Sequence, residues 1–173
     1  MVIKAKHFLS VLILLILVAG GGFLLYLHLR PTDENRIRAL CSTFTEEISK
    51  RTKEGAIPAA AKAKKISALF TEQSSFSIDG LPWASAPRSR EKLSGEIFRS
   101  RAMFQKITLV FEDLSIRIGE EKNRAEITLS AVLSGTVHPD KEIREVRALE
   151  GTLVKMEGRW LFESFRVRKL IRK

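Results

Sequence analysis

The chain has 173 residues, a net charge of +10 and 45% hydrophobic residues, enough for one domain with an appendage. A single cysteine, Cys41, excludes an internal disulfide, and no Gly-rich loop of the phosphate-cradling kind is present. The one histidine beyond the N-terminal run, His138, has no second His and no Cys nearby, so neither a metal nor a cofactor is expected.

The first element is the run "FLSVLILLILVAGGGFLLYLHL", Phe8 to Leu29, with no Asp, Glu, Lys or Arg. As a helix it rises roughly 33 Å, enough to cross a bilayer core. A cleaved signal is the alternative, with Val18-Ala19-Gly20 as its processing site. Apolar residues continue beyond that point, which favours an uncleaved anchor. Lys4 and Lys6 precede the run, and after it Arg30 is followed quickly by Asp33 and Glu34, a positive-inside bias that favours a cytoplasmic N-terminus. Residues 1–30 are therefore read as a stub and transmembrane anchor of a single-pass inner-membrane protein. Residues 31–173 are read as a domain facing the periplasm or the cell exterior.

In the domain, Pro31-Thr32-Asp33 reads as a helix start, and Ile37, Leu40, Cys41, Phe44 and Ile48 follow at helical spacing, with Gly55 closing the segment. A second helix starts at Pro58, turning Ile66, Leu69 and Phe70 inward and Lys62, Lys64 and Lys65 to solvent. A short strand spans Ser74 to Asp79, and "GLPWASAPRSR" reads as a loop. Ser89 caps a third helix through about Met103, with Leu93, Ile97 and Phe98 on its buried side.

From Ile107 onward the apolar period becomes two. Strands are expected over Ile107–Ile118, Arg124–Val137, Ile143–Met156 and Arg159–Ile171, with Glu157-Gly158 as a two-residue hairpin turn. Two parity breaks call for bulges, one near Glu112-Asp113 and one near Ser164. Pairing outward from the turn then sets Trp160 opposite Lys155, Phe162 opposite Leu153, Phe165 opposite Gly151 and Val167 opposite Leu149. On the reverse face Arg166 meets Glu150 as an ion pair and Arg168 meets Ala148. The architecture implied is α+β: an N-terminal transmembrane helix, then three helices packed on a strongly bent antiparallel sheet.

This order, with "SALFTEQSSFSIDG" at 67–80, "RAEITLSAVLSG" at 124–135 and "VKMEGRWLFESFRV" at 154–167, resembles the nuclear transport factor two-like, or SnoaL-like, superfamily over nearly the whole domain. The resemblance implies a cone-shaped fold with a pocket between sheet and helices. Some members are isomerases, dehydratases or epoxide hydrolases, and many bind ligands or assemble complexes. Steroid isomerase-type members use a carboxylate near the end of the first short strand, a position close to Asp79, together with a tyrosine. The only tyrosine here is Tyr26, inside the apolar run, so isomerase chemistry is not expected.

The expected pocket residues are Asp79, Trp83, Phe111, Phe162 and Phe165. The rest of the inner face is apolar, with few of the convergent polar groups that a catalytic pocket needs. Arg166, Arg168 and Arg172 form an expected basic face. Two functions follow. The first is a membrane-anchored, non-catalytic domain that assembles with an envelope protein or an anionic lipid surface, with a homodimer through the sheet as one form. The second is a binder, or weak enzyme, for a small apolar ligand. Nucleic acid is not expected as a partner, because the basic residues lack interleaved aromatics.

Overall fold

A computed structural model describes residues 32–50, 54–79, 86–137 and 141–168. The expected anchor Phe8–Leu29, Trp83, His138 and Arg172 lie outside the described residues. Among those that are described, no helix is long and apolar enough to cross a membrane.

The first helix, α1 (Asp33–Ile48), buries Ile37 and Cys41 and rests Leu40, Phe44 and Ile48 on the core, the stripe that its spacing dictates. It stops earlier than Gly55. Gly55 instead sits at the N-cap of α2 (Ala56–Ser67), whose inward residues are Ala63, Ile66 and Ser67. Phe70 is not helical. It opens β1 (Phe70–Ile78), pairs with Phe162 and is buried against it. The helix ends at Ser67, three residues earlier, because the chain turns into the sheet there, with Leu69 O accepting Phe162 N–H at 2.9 Å. A three-residue strand, β2 (Pro87–Ser89), emerges from the stretch read as a loop and pairs antiparallel with β1. Ser89 then caps α3 (Arg90–Ala102), its hydroxyl accepting Lys92 N–H.

Four long strands follow: β3 (Phe104–Ile118), β4 (Arg124–Val137), β5 (Lys141–Met156) and β6 (Arg159–Arg168). The sheet order is β2-β1-β6-β5-β4-β3. It is mixed rather than wholly antiparallel, since β1 runs parallel to β6. Strand β1 follows a helix rather than a hairpin, so nothing in its local sequence fixes its direction.

The register between β5 and β6 is the expected one at each of the six named pairs, from Lys155↔Trp160 to Ala148↔Arg168. Glu157 and Gly158 both have positive φ, the twist of a tight hairpin turn. Both bulges are present. On β3 the extra residue falls between Glu112 and Ser115, where Asp113 has φ 54°; on β6 it is Glu163, between Phe162 and Ser164. Gly151 faces Phe165, and a Cβ there would come within 3.0 Å of that ring and 2.9 Å of Ile127 Cγ1. An inward aromatic thus lies over a glycine that has no room for a side chain.

Candidate functional site

Between helices and sheet the expected pocket is occupied by phenylalanine rings. Phe44 of α1 stands at the centre, 5.8 Å from Phe70, 5.8 Å from Phe111, 5.6 Å from Phe162 and 6.2 Å from Phe165. Phe70 in turn meets Phe76, and Phe162 meets Phe165 at 4.9 Å. Offset and edge-on contacts at these distances suit aromatic quadrupoles. Phe111, Phe162 and Phe165 are therefore gathered around Phe44, and Phe162 and Phe165 also pack on each other.

Asp79 is not with them. The alternation along β1 puts Ser77 and Asp79 on the outer face of the sheet, where Asp79 Oδ1 accepts from Arg166 Nε at 3.0 Å. Arg166 does lie opposite Glu150 in register, but the ion pair expected between them is not formed. Glu150 is taken by Arg168 at 2.6 Å, and that bond is the main reason the Arg168 pKa is raised. The described part of the basic face is thus a row of neutralised pairs. Much of the excess positive charge belongs to residues outside the described ones, such as Lys169, Arg172 and Lys173.

Cys41 is buried and free, and burial pushes its thiol up to about 11 against the opposing pull of Arg38. A thiol held protonated in this way is a core residue and not a nucleophile. Among the described residues no group of three or more His, Cys, Asp or Glu is placed to hold a metal ion.

A buried cluster at the C-terminus of α1 was not anticipated from the sequence. Arg101, 3% exposed, donates from Nη1 to the carbonyls of Glu47 (2.8 Å) and Ile48, and from Nη2 to Glu54 Oε2 at 2.8 Å. Lys62 holds the other Glu54 oxygen at 2.8 Å, and Lys50 Nζ donates to Phe104 O at 2.7 Å. Burial raises the Glu54 pKa, but the bonds from Lys62 and Arg101 outweigh it, and the net shift is downward. This guanidinium satisfies helix-end carbonyls that would otherwise be orphaned. The signal was available: Leu93, Ile97 and Arg101 recur every four residues, so Arg101 lies on the buried face of α3.

None of the described helices or strands covers the outer face, which has two halves. Around Arg166, Ser75, Ser77, Thr128, Thr152 and Ser164 floor a polar groove of about 490 Å³. Farther along the strands, Val110, Val132 and Val146 stand in one cross-strand row, with Val110 and Val146 over 40% exposed.

Comparison with known proteins separates fold from function. No family model matches the chain, and no curated protein does. Solved structures do match. A protein from Novosphingobium aromaticivorans described as NTF2-like with a cystatin-like fold superposes with a TM-score of 0.60 over 90% of each chain, at 15% identity. The fold is NTF2-like. A candidate scytalone dehydratase from the same organism gives a TM-score of 0.64 at 14% identity, over 79% of this chain and 83% of that one. A candidate calcium/calmodulin-dependent protein kinase II association domain from Xanthomonas campestris gives 0.62 at 14% identity, over 82% and 91%. At such identities the NTF2-like fold is what is shared, and the fold carries both enzymes and other proteins.

Proposed function

We propose that this chain is a membrane-anchored, non-catalytic NTF2-like domain that assembles with other proteins at the cell envelope. The observation that carries the reading is the filled interior: Phe44, Phe70, Phe111, Phe162 and Phe165 occupy the space where a ligand would sit. Asp79, the carboxylate nearest to a family site, is on the other face and held by Arg166. The anchor itself rests on the length and composition of Phe8–Leu29. A periplasmic or extracellular domain follows from the charges flanking that run.

The row Val110–Val132–Val146 supplies a face for a second copy. If two sheets pack about an axis parallel to β4, the β3 column of one meets the β5 column of the other. That sets Val110 on Val146 and Lys106 near Glu142, a self-complementary pattern. Crosslinking of full-length protein in intact membranes from Val146→Cys tests this, with a self-crosslink or one defined partner expected. Robust turnover of ester, epoxide or ketosteroid substrates, abolished by Asp79→Ala, would overturn the non-catalytic reading.

A second reading, a small apolar ligand between sheet and helices, is supported by the dehydratase name among the structural neighbours. It requires a ring such as Phe44 to move aside.

A further inference from the structure

Among the described residues β3 ends the sheet, so one of its edges has no neighbouring strand there. The chain itself uses that edge at one described point. Lys50 donates its N–H to Ile107 O at 2.7 Å and accepts Ile107 N–H at 2.9 Å, an isolated antiparallel bridge. Two residues on, Leu109 N–H is taken by Ser49 Oγ at 3.2 Å. Phe111 is the next residue of that parity, and among the described residues no backbone hydrogen bond reaches it from the open side. Unpaired main-chain groups in a row are a template for another strand.

A trough runs beside this edge, between it and α1. Two clefts make it up, and they share Thr45 and Leu109. One, of about 520 Å³, lies against Ser49, Glu54, Lys62 and Thr108. The other, of about 270 Å³, lies between Arg38, Cys41 and Ser42 on α1 and Phe111 and Leu114 on β3. Val110 also borders this second cleft although its side chain belongs to the opposite face, so the cleft reaches the main chain of the strand. The trough thus offers hydrogen-bonding backbone on one side and apolar seats on the other.

Charge narrows what can enter. Glu112 and Asp113 are exposed at the bulge, and neither has an ion-pair partner among the described residues. A bulge with carboxylates is a common guard against indiscriminate edge pairing. Here the two carboxylates favour a basic residue in any strand that pairs beside them.

We infer that the edge of β3 binds an extended segment of a partner protein by strand addition, with apolar residues at alternate positions seated against Leu109, Phe111 and Leu114 and a Lys or Arg beside Glu112 and Asp113. Main-chain bonds supply affinity in such complexes, and the alternate pockets supply specificity. The inference deepens the assembly reading and rests on it for the existence of a partner.

The test pans a phage-displayed random octapeptide library on the full-length protein in detergent micelles. One enriched peptide is then resynthesised for fluorescence anisotropy. Enriched peptides should alternate apolar residues and carry Lys or Arg. The Glu112→Gln/Asp113→Asn double variant should bind roughly tenfold more weakly with an unchanged melting temperature, since both side chains are exposed and Asn accepts the left-handed backbone. Methylating the peptide's amide nitrogens at one alternating set should abolish binding, and methylating the other set should leave it intact. A groove that reads side chains alone would not show that parity. Equal effects of the two sets, no such enrichment, or full binding by the double variant would each overturn the proposal. So would peptides that act only by dissociating a dimer of this chain, because the edge would then be a self-pairing surface. Membrane crosslinking of the same double variant separates the two readings. A hetero-partner crosslink that persists while peptide binding fails leaves assembly standing and removes the edge, whereas loss of every crosslink together with intact peptide binding removes assembly and leaves the edge.

Discussion

Along β6 successive side chains enter two different worlds. Trp160, Phe162 and Phe165 are buried among α1, β1 and β5, while Arg166 and Arg168 lie exposed on the far side of the same strand, each against a carboxylate. The inner set gains by leaving water, at about 25 cal/mol per Å² of apolar surface, and nothing outside screens that gain. The outer set exchanges hydration for contacts that water and salt weaken. Along β6, stability should therefore sit on the inner face, leaving the outer face free to take part in recognition. Substitutions ranked by which face they touch put that division to the test.

Trp160→Ala should be the most damaging. Trp160 is 4% exposed, and its truncation removes a large ring and leaves a cavity, at about 3–5 kcal/mol. A whole domain has only about 5–15 kcal/mol, so a urea melt of the full-length protein should show a variant near unfolding. Arg101→Ala should approach it although it removes a charge. It leaves Glu54 to Lys62 alone and two helix-end carbonyls without their donor inside the protein, at about 1–3 kcal/mol for each buried group left unsatisfied. A variant indistinguishable from the parent in the melt would mean that water replaces the guanidinium freely.

Gly151→Ala comes next, at roughly 1–3 kcal/mol for an overpacked core position. The added methyl meets Ile127 and Phe165, both side chains able to give slightly. Its effect should shrink when combined with Ile127→Val, and that non-additivity is the measurement that checks it.

The Glu54 cluster adds a pH dependence. With its pKa lowered in the folded state by the bonds to Lys62 and Arg101, Glu54 stabilises the protein in full above the ordinary glutamate value. That contribution is lost as pH falls through the lowered value, because the unfolded chain takes up the proton first. The acid limb of a stability-against-pH curve should flatten in Glu54→Gln. An unchanged limb would assign the acid loss to other carboxylates.

Most of the sheet was legible in the sequence, and the reasons differ by element. Strands β3 to β6 carry their inward residues at period two, and the two parity breaks located the bulges because side chains cannot change face without an extra residue. Strand β1 was only half legible. Phe70 fits a helical stripe with Ile66, and only the parallel pairing to Phe162, far away in sequence, makes it a strand residue. The site was less legible than the fold. Asp79 is near a turn, and its face is decided by its alignment with β6, which local sequence does not encode. Phe44 was placed on the apolar side of α1, but that it would fill the pocket depends on how far the helix sits from the sheet.

The smallest expected effect concerns the outer pair, and it discriminates most sharply between the two faces. Arg166 Nε and Asp79 Oδ1 are 3.0 Å apart, with side chains 55% and 31% exposed. A pair so open to solvent is worth about 0–1 kcal/mol. Arg166→Ala and Asp79→Ala should each shift the urea midpoint only slightly, and the double variant should show a coupling within the same range. Added salt should reduce it further, since a Debye length of about 8 Å at physiological ionic strength leaves exposed charges poorly coupled. If Asp79→Ala instead proved as damaging as Trp160→Ala, the carboxylate would be holding something other than Arg166. The outer face would then be structural, and the division between a face that stabilises and a face that recognises would fail at the strand where it is drawn most clearly.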